Sequence, residues 1–143
     1  MTTINVLEGT SLDRGQWVRI GVVTAVASII AVLIVQAVAI AIWPDIALFK
    51  PLDSYPRTAL FTLIPAVGAT ALLAWLSRRK PDPVPTFLKI SAVVLVLSII
   101  PDYLLPVAYK SFLASSVTAF MHVVAAAVTV SVLVISYRRQ SGA

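Results

Sequence analysis

The chain contains no cysteine, which excludes disulfides, thiolate metal sites and cysteine nucleophiles. Charge is scarce as well, at 12% of residues against roughly 25% in soluble globular domains. Histidine occurs once, at His122, so a metal site would need carboxylates around it. Only Asp102 lies at a comparable depth, and no metal is expected. Neither a GxSxG elbow nor a glycine-rich phosphate loop is present. No catalytic residue is assigned, no cofactor is expected, and the chain is read as not an enzyme.

What the chain has in abundance is uncharged length. Ile20 to Trp43, Thr58 to Ser77 and Ser111 to Tyr137 hold no Asp, Glu, Lys or Arg, and Ile90 to Tyr109 holds only Asp102. A hydrocarbon slab about 30 Å thick is crossed by roughly 20 apolar residues of helix, and each stretch reaches that length. A soluble amphipathic helix would place charge on one face at every turn; these stretches are apolar on all faces. At 143 residues the chain forms one domain with no room for a soluble module beside the spans. The expected fold class is all-α: an integral membrane up-down-up-down four-helix bundle, because short connections make neighbouring helices antiparallel. Residues 1–16 read as a polar N-terminal segment and 17–137 as the transmembrane domain. Its spans are expected at about 17–43, 58–77, 86–105 and 112–137, with 138–143 as a tail. Ala37-Val38-Ala39 resembles a signal-peptidase site, but the apolar run before it exceeds the usual 7–15 residues or so of a leader. An uncleaved first span is expected.

The formal charge of +5 does not point to nucleic acid. Arg14, Arg19, Arg78, Arg79, Lys80, Lys89, Arg138 and Arg139 fall on one side of a four-span topology, and only Lys50, Arg57 and Lys110 on the other. That asymmetry puts both termini in the cytoplasm, and the expected location is the cytoplasmic membrane of a prokaryote. Trp17, Trp75 and Tyr137 fall at one membrane edge, Trp43, Tyr55 and Tyr109 at the other, as interfacial belts require. The outer loop, Pro44 to Pro56, is expected to rest partly among the headgroups. The expected partners are the lipid bilayer and either a second copy of the chain or another membrane protein.

Polar groups inside the hydrocarbon are few, so their depths matter. At about 1.5 Å rise per residue, Gln36 counted from Arg19, Thr62 from Arg78 and His122 from Arg138 lie about 24–25 Å from the basic side. Asp102, counted from Pro85, comes to about 25 Å. One polar residue from each span thus reaches a common layer. Ser115, Thr118, Ala119, His122, Ala125, Ala126 and Thr129 form a stripe of small and weakly polar residues at spacings of three and four. Ser91, Ser98 and Asp102 share a face of span 3; Gly21, Thr24, Ala25, Ser28 and Gln36 share one of span 1. Small residues let helices approach closely in lipid, and hydroxyls bridge them. Gly21, Ala25, Ser28, Ser98, Thr118, Ala125, Ala126 and Thr129 are therefore the expected packing positions.

Two readings of the layer stand open. In one, His122 hydrogen-bonds Asp102 or Gln36 and only fixes helix order. In the other, Gln36, Thr62, Asp102 and His122 handle protons or a small amphipathic molecule such as a quinone or a lipid, because ionisable residues in the membrane commonly mark such sites. Asp102 itself fits either a buried site or a helix-ending Pro-Asp-Tyr turn at the interface. The functional class that follows is a non-enzymatic structural, accessory or interaction module, with a proton-linked or ligand-binding protein as the alternative.

Phe120-Met121-His122-Val123-Val124-Ala125-Ala126-Ala127-Val128 resembles a Met-His-(Leu/Val)-Val-x-(Gly/Ala)-Ala-Val segment. Val94-Leu95-Val96-Leu97-Ser98-Ile99-Ile100-Pro101 looks like the Leu-Ser-Leu-Leu-x-Pro end of the helix before it. Together these are similar to a family of small bacterial four-helix membrane proteins of unknown function. The resemblance implies the fold but lends no activity, cofactor or partner. It singles out His122, Ser98 and Pro101, and implies variation at Asp102 and Tyr103.

Overall fold

A computed structural model describes residues 11–142. Among them it contains four α-helices and no strand: α1 (Arg14–Ile42), α2 (Tyr55–Ser77), α3 (Val84–Leu104) and α4 (Phe112–Ser141). Two 3-10 turns, Pro44–Leu48 and Lys50–Leu52, lie between α1 and α2. All four helices are long and apolar enough to cross a membrane. The shortest, at 21 residues, is about 31 Å long.

The ends of the helices follow from local chemistry. Asp13 accepts from the Gln16 amide while the Gln16 side chain accepts from the Asp13 amide, both at 2.8 Å. This reciprocal box starts α1 at Arg14, three residues before the expected boundary. Ser54 and Ser111 cap α2 and α4 through the amides of Arg57 and Ala114, so α2 begins before Thr58. Pro44 closes α1. α4 runs past Tyr137 to Ser141, where Gly142 takes the left-handed conformation (φ +68°) that glycine adopts at low cost. The expected tail is thus mostly helix. The first ten residues of the expected N-terminal segment lie outside the described residues.

α1 is the hub. It packs along both α2 and α4, and α4 also packs along α3, whereas α2 and α3 touch sparsely. Two apolar clusters hold the ends together. Leu12, just before α1, and Trp17 and Ile20 from its start meet Leu73 and Leu76 from the end of α2, Phe87 from the start of α3 and Leu133 from the end of α4. Trp17 stacks on Tyr137 there, 5.9 Å between ring centroids, and the Arg79 guanidinium lies over the Trp75 ring at 5.1 Å. At the opposite end Val32 and Ala39 of α1 meet Ala114, Val117 and Met121 of α4. Ile46, Phe49 and Leu52 of the connecting loop complete this cluster, with Phe49 and Leu52 each 1% exposed. The loop therefore folds into the end of the bundle. Its 3-10 turns bring these three side chains inward, so it covers the core at that end, while Leu48 stays exposed.

Outward faces are apolar throughout. Val22, Val26, Ile30, Ile34 and Val38 form an exposed row along α1 at the four-residue spacing of one helix face. Uncovered apolar area of this extent is not left in water by a soluble monomer; a hydrocarbon solvent accommodates it without penalty.

Candidate functional site: the His122–Asp102 pair

Between the helices the small-residue stripes meet. A Cβ at Gly21 would come within 3.1 Å of Thr70 Cγ2, so α1 and α2 approach as closely there as glycine allows. Ser28 and Thr129 hydroxyls bond at 2.8 Å across the α1–α4 seam, buried. Ala25 is buried beside them in the chain, and Thr118 donates back to the Ala114 carbonyl. Ala125 packs against the loop-end cluster, Ala126 is half-buried, and Ser98 donates to the Leu95 carbonyl of its own helix.

The four residues of the expected polar layer separate into three environments. Gln36 is fully buried and its Nε2 donates to the Leu52 carbonyl at 3.0 Å, tying α1 to the loop. Thr62 donates to the Thr58 carbonyl within α2 at 2.8 Å. His122 and Asp102 do meet: Nε2 of the imidazole lies 3.3 Å from Oδ2 of the carboxylate, joining α4 to α3.

Asp102 reaches this position through an accounting of backbone carbonyls. It sits in the last turn of α3, where the final four carbonyls lack helical partners. Pro106 stands four residues on and has no N–H to offer the Asp102 carbonyl. The Ser115 hydroxyl supplies that bond at 2.7 Å from α4. The Lys110 ammonium donates to the carbonyls of Tyr103 and Leu105 at 2.7 and 3.2 Å, a cation at a helix C-terminus where the macrodipole favours it. The Tyr103 hydroxyl bonds Ser116 at 3.1 Å. With the end of α3 pinned by α4 in this way, the Asp102 side chain is directed back along the helix toward its N-terminus, deeper into the bundle and onto His122. The sequence reading had not identified Ser115, Ser116 or Lys110 in these roles; Pro106, four residues after Asp102, was the available signal.

The two partners differ in access. The Asp102 side chain is 9% exposed and that of His122 38%. Oδ2 of Asp102 is buried and makes no conventional hydrogen bond; the His122 imidazole is its one ion-pair partner among the described residues. The exposure of His122 has an unusual direction. Phe120, Val123 and Ala127 mark the outward face of α4. At about 100° per residue, His122 points roughly opposite to it, at the bundle axis. Val84 and Phe87, both near the start of α3, are its buried residues, and no buried residue of α3 joins the loop-end cluster. No other Asp, Glu, Lys or Arg lies in the middle turns of any helix.

A cluster of His, Cys, Asp and Glu able to hold a metal ion is absent among the described residues. Searches of the curated proteins and of the solved structures gave no match. A family profile does match, over residues 12–139, which takes in all four spans, the loop and the His122–Asp102 pair. The chain belongs to the family of unknown function DUF6069.

Proposed function

We propose that this protein is a non-enzymatic, multi-pass module of the prokaryotic cytoplasmic membrane, with both termini inside, whose working part is the His122–Asp102 pair acting as an intramembrane proton and ligand site. The observation that carries this reading is the combination of a 9% exposed carboxylate with a 38% exposed imidazole at 3.3 Å. A pair retained only to order helices would be closed on both sides. Helix order has other determinants here: Ser28 to Thr129 fixes α1 on α4, and Ser115 and Tyr103–Ser116 fix α3 on α4. An ionisable pair inside a membrane is costly and commonly functional, and this one is reachable.

The test uses the single histidine. With ¹³C-histidine incorporated, the whole chain in lipid nanodiscs gives one imidazole signal to follow against pH. A change in that signal on Asp102→Asn is expected. A signal identical in both proteins contradicts the reading.

A second reading, an accessory or self-associating module, is favoured by α3. Val93, Val94, Val96, Leu97 and Ile100 leave its outer face uncovered, and lipid or a partner helix suits that face equally. Native mass spectrometry from mild detergent distinguishes them: a bound copy or partner supports association, and a lone monomer removes it.

A further inference from the structure

We propose that the cleft between the α2–α3 turn and the end of α4 holds the headgroup of an anionic phospholipid of the phosphatidylglycerol type, with Arg138 on the phosphodiester and Asp82 accepting from a headgroup hydroxyl. This site is independent of the His122–Asp102 pair and needs only that the four helices span a bilayer. The cleft lies at the end of the bundle that carries eight of the eleven bases. Its volume is about 300 Å³, at the small end of ligand sites. Pro81, Asp82, Pro83 and Val84 line it on one side, Tyr137 and Arg138 on the other.

The walls are held in place by the protein itself. Pro83 and Val84 are buried, and proline at 81, 83 and 85 fixes φ at alternate residues. Asp82 accepts from the Val84 amide at 3.2 Å, which anchors its carboxylate at the start of α3. On the opposite wall the Tyr137 ring stacks on buried Trp17. Tyr and Trp at a span end mark the level of the headgroups, so a lipid phosphate reaches the cleft without leaving its leaflet.

Charge selects the occupant. Asp13 and Asp82 are the described acids of this end, and none of its eight bases is ion-paired among the described residues. The Arg79 guanidinium lies over Trp75, and Lys80 Nζ donates to the Thr86 hydroxyl at 3.0 Å, so the bases flanking the turn keep their charge uncompensated. Such an excess attracts anionic lipid. Within the cleft Arg138 and Asp82 share the lining, yet no ion pair joins them. A guanidinium matches phosphate geometry, whereas an ionised carboxylate only accepts and needs a donor. A phosphoglycerol headgroup supplies phosphate oxygens for the one and hydroxyls for the other. An ethanolamine headgroup also pairs an anion with a donor, but it is zwitterionic and gains nothing from the surrounding bases.

Native mass spectrometry of the full chain, in ammonium acetate at about 0.15 M ionic strength, tests this with four lipids of identical acyl chains: phosphatidylglycerol, phosphatidylmethanol, phosphatidylethanolamine and phosphatidylcholine. The expected result is retention of phosphatidylglycerol in preference to the other three. Arg138→Ala is expected to weaken that binding about tenfold, as for loss of a charged hydrogen bond. Arg19→Ala removes the same charge outside the cleft and is expected to change it little, because exposed charges more than about 8 Å apart are largely screened at this salt. Both side chains are exposed, so neither substitution opens the core. Equal losses from the two variants would show diffuse attraction and overturn the site. Phosphatidylmethanol has the same charge and no hydroxyl; its equal retention overturns the glycerol assignment and the role of Asp82. Preferential retention of the ethanolamine or choline lipid overturns the anionic assignment.

Discussion

Asp102 is the residue with most to lose. A buried carboxylate is costly unless it is paired, and here Oδ2 has the His122 imidazole, 3.3 Å away, as its one ion-pair partner among the described residues. Removing the imidazole strands the acid; removing the acid leaves an imidazole that is already half-open. The two substitutions are therefore unequal. His122→Leu is expected to destabilise the fold by about 2–3 kcal/mol in reversible unfolding from mixed micelles, and Asp102→Asn by less. Combined with Asp102→Asn, His122→Leu is expected to cost at least about 1 kcal/mol less than it does alone. Additive losses would mean that the two side chains do not interact. Gln36 is a contrasting case at the same scale: fully buried, with Nε2 committed to the Leu52 carbonyl and Oε1 left without a partner among the described residues, so it ties α1 to the loop and takes no part in the pair.

At the level of the helices, closeness is set by small side chains and divergence by their absence. α1 and α2 touch across Gly21 and Thr70; α2 and α3 have no comparable contact. Gly21→Val is expected to push α1 and α2 apart and cost about 1–3 kcal/mol, the usual penalty of overpacking, with much of the loss recovered by Thr70→Ala. A neutral Gly21→Val, read by the same unfolding measurement, would show that this approach is not tight. The existence of the helices was legible in composition because lipid removes the need for polar faces, and charge-free length is then sufficient. Their ends were less so: the Asp13–Gln16 box and the Gly142 cap extend α1 and α4 by local bonds that hydropathy does not register. Depth counting brought His122 and Asp102 to one level, and the structure places them in contact. Depth says nothing of azimuth, however, and Gln36 and Thr62 at that same level face other partners. The inward fold of Phe49 and Leu52 was equally illegible, since a proline-rich apolar loop has the same composition whether it covers a core or lies among headgroups.

For the whole molecule, the bases lie at two unequal ends. The end with Arg14, Arg19, Arg78, Arg79, Lys80, Lys89, Arg138 and Arg139 outweighs the one with Lys50, Arg57 and Lys110, and the loop end also carries Asp45 and the Asp53–Arg57 ion pair. Positive residues are retained on the cytoplasmic side, so the loop end should face out, and the His122–Asp102 pair should lie in the outer half of the bilayer. The chain's lack of cysteine makes the orientation directly measurable. Single substitutions Asp45→Cys, Pro81→Cys and Ala143→Cys are challenged with a membrane-impermeant maleimide on intact cells. Labelling at position 45 alone, with 81 and 143 reacting only after permeabilisation, is the predicted pattern. Labelling of position 81 or 143 from outside intact cells would contradict four spans with both ends of the chain in the cytoplasm.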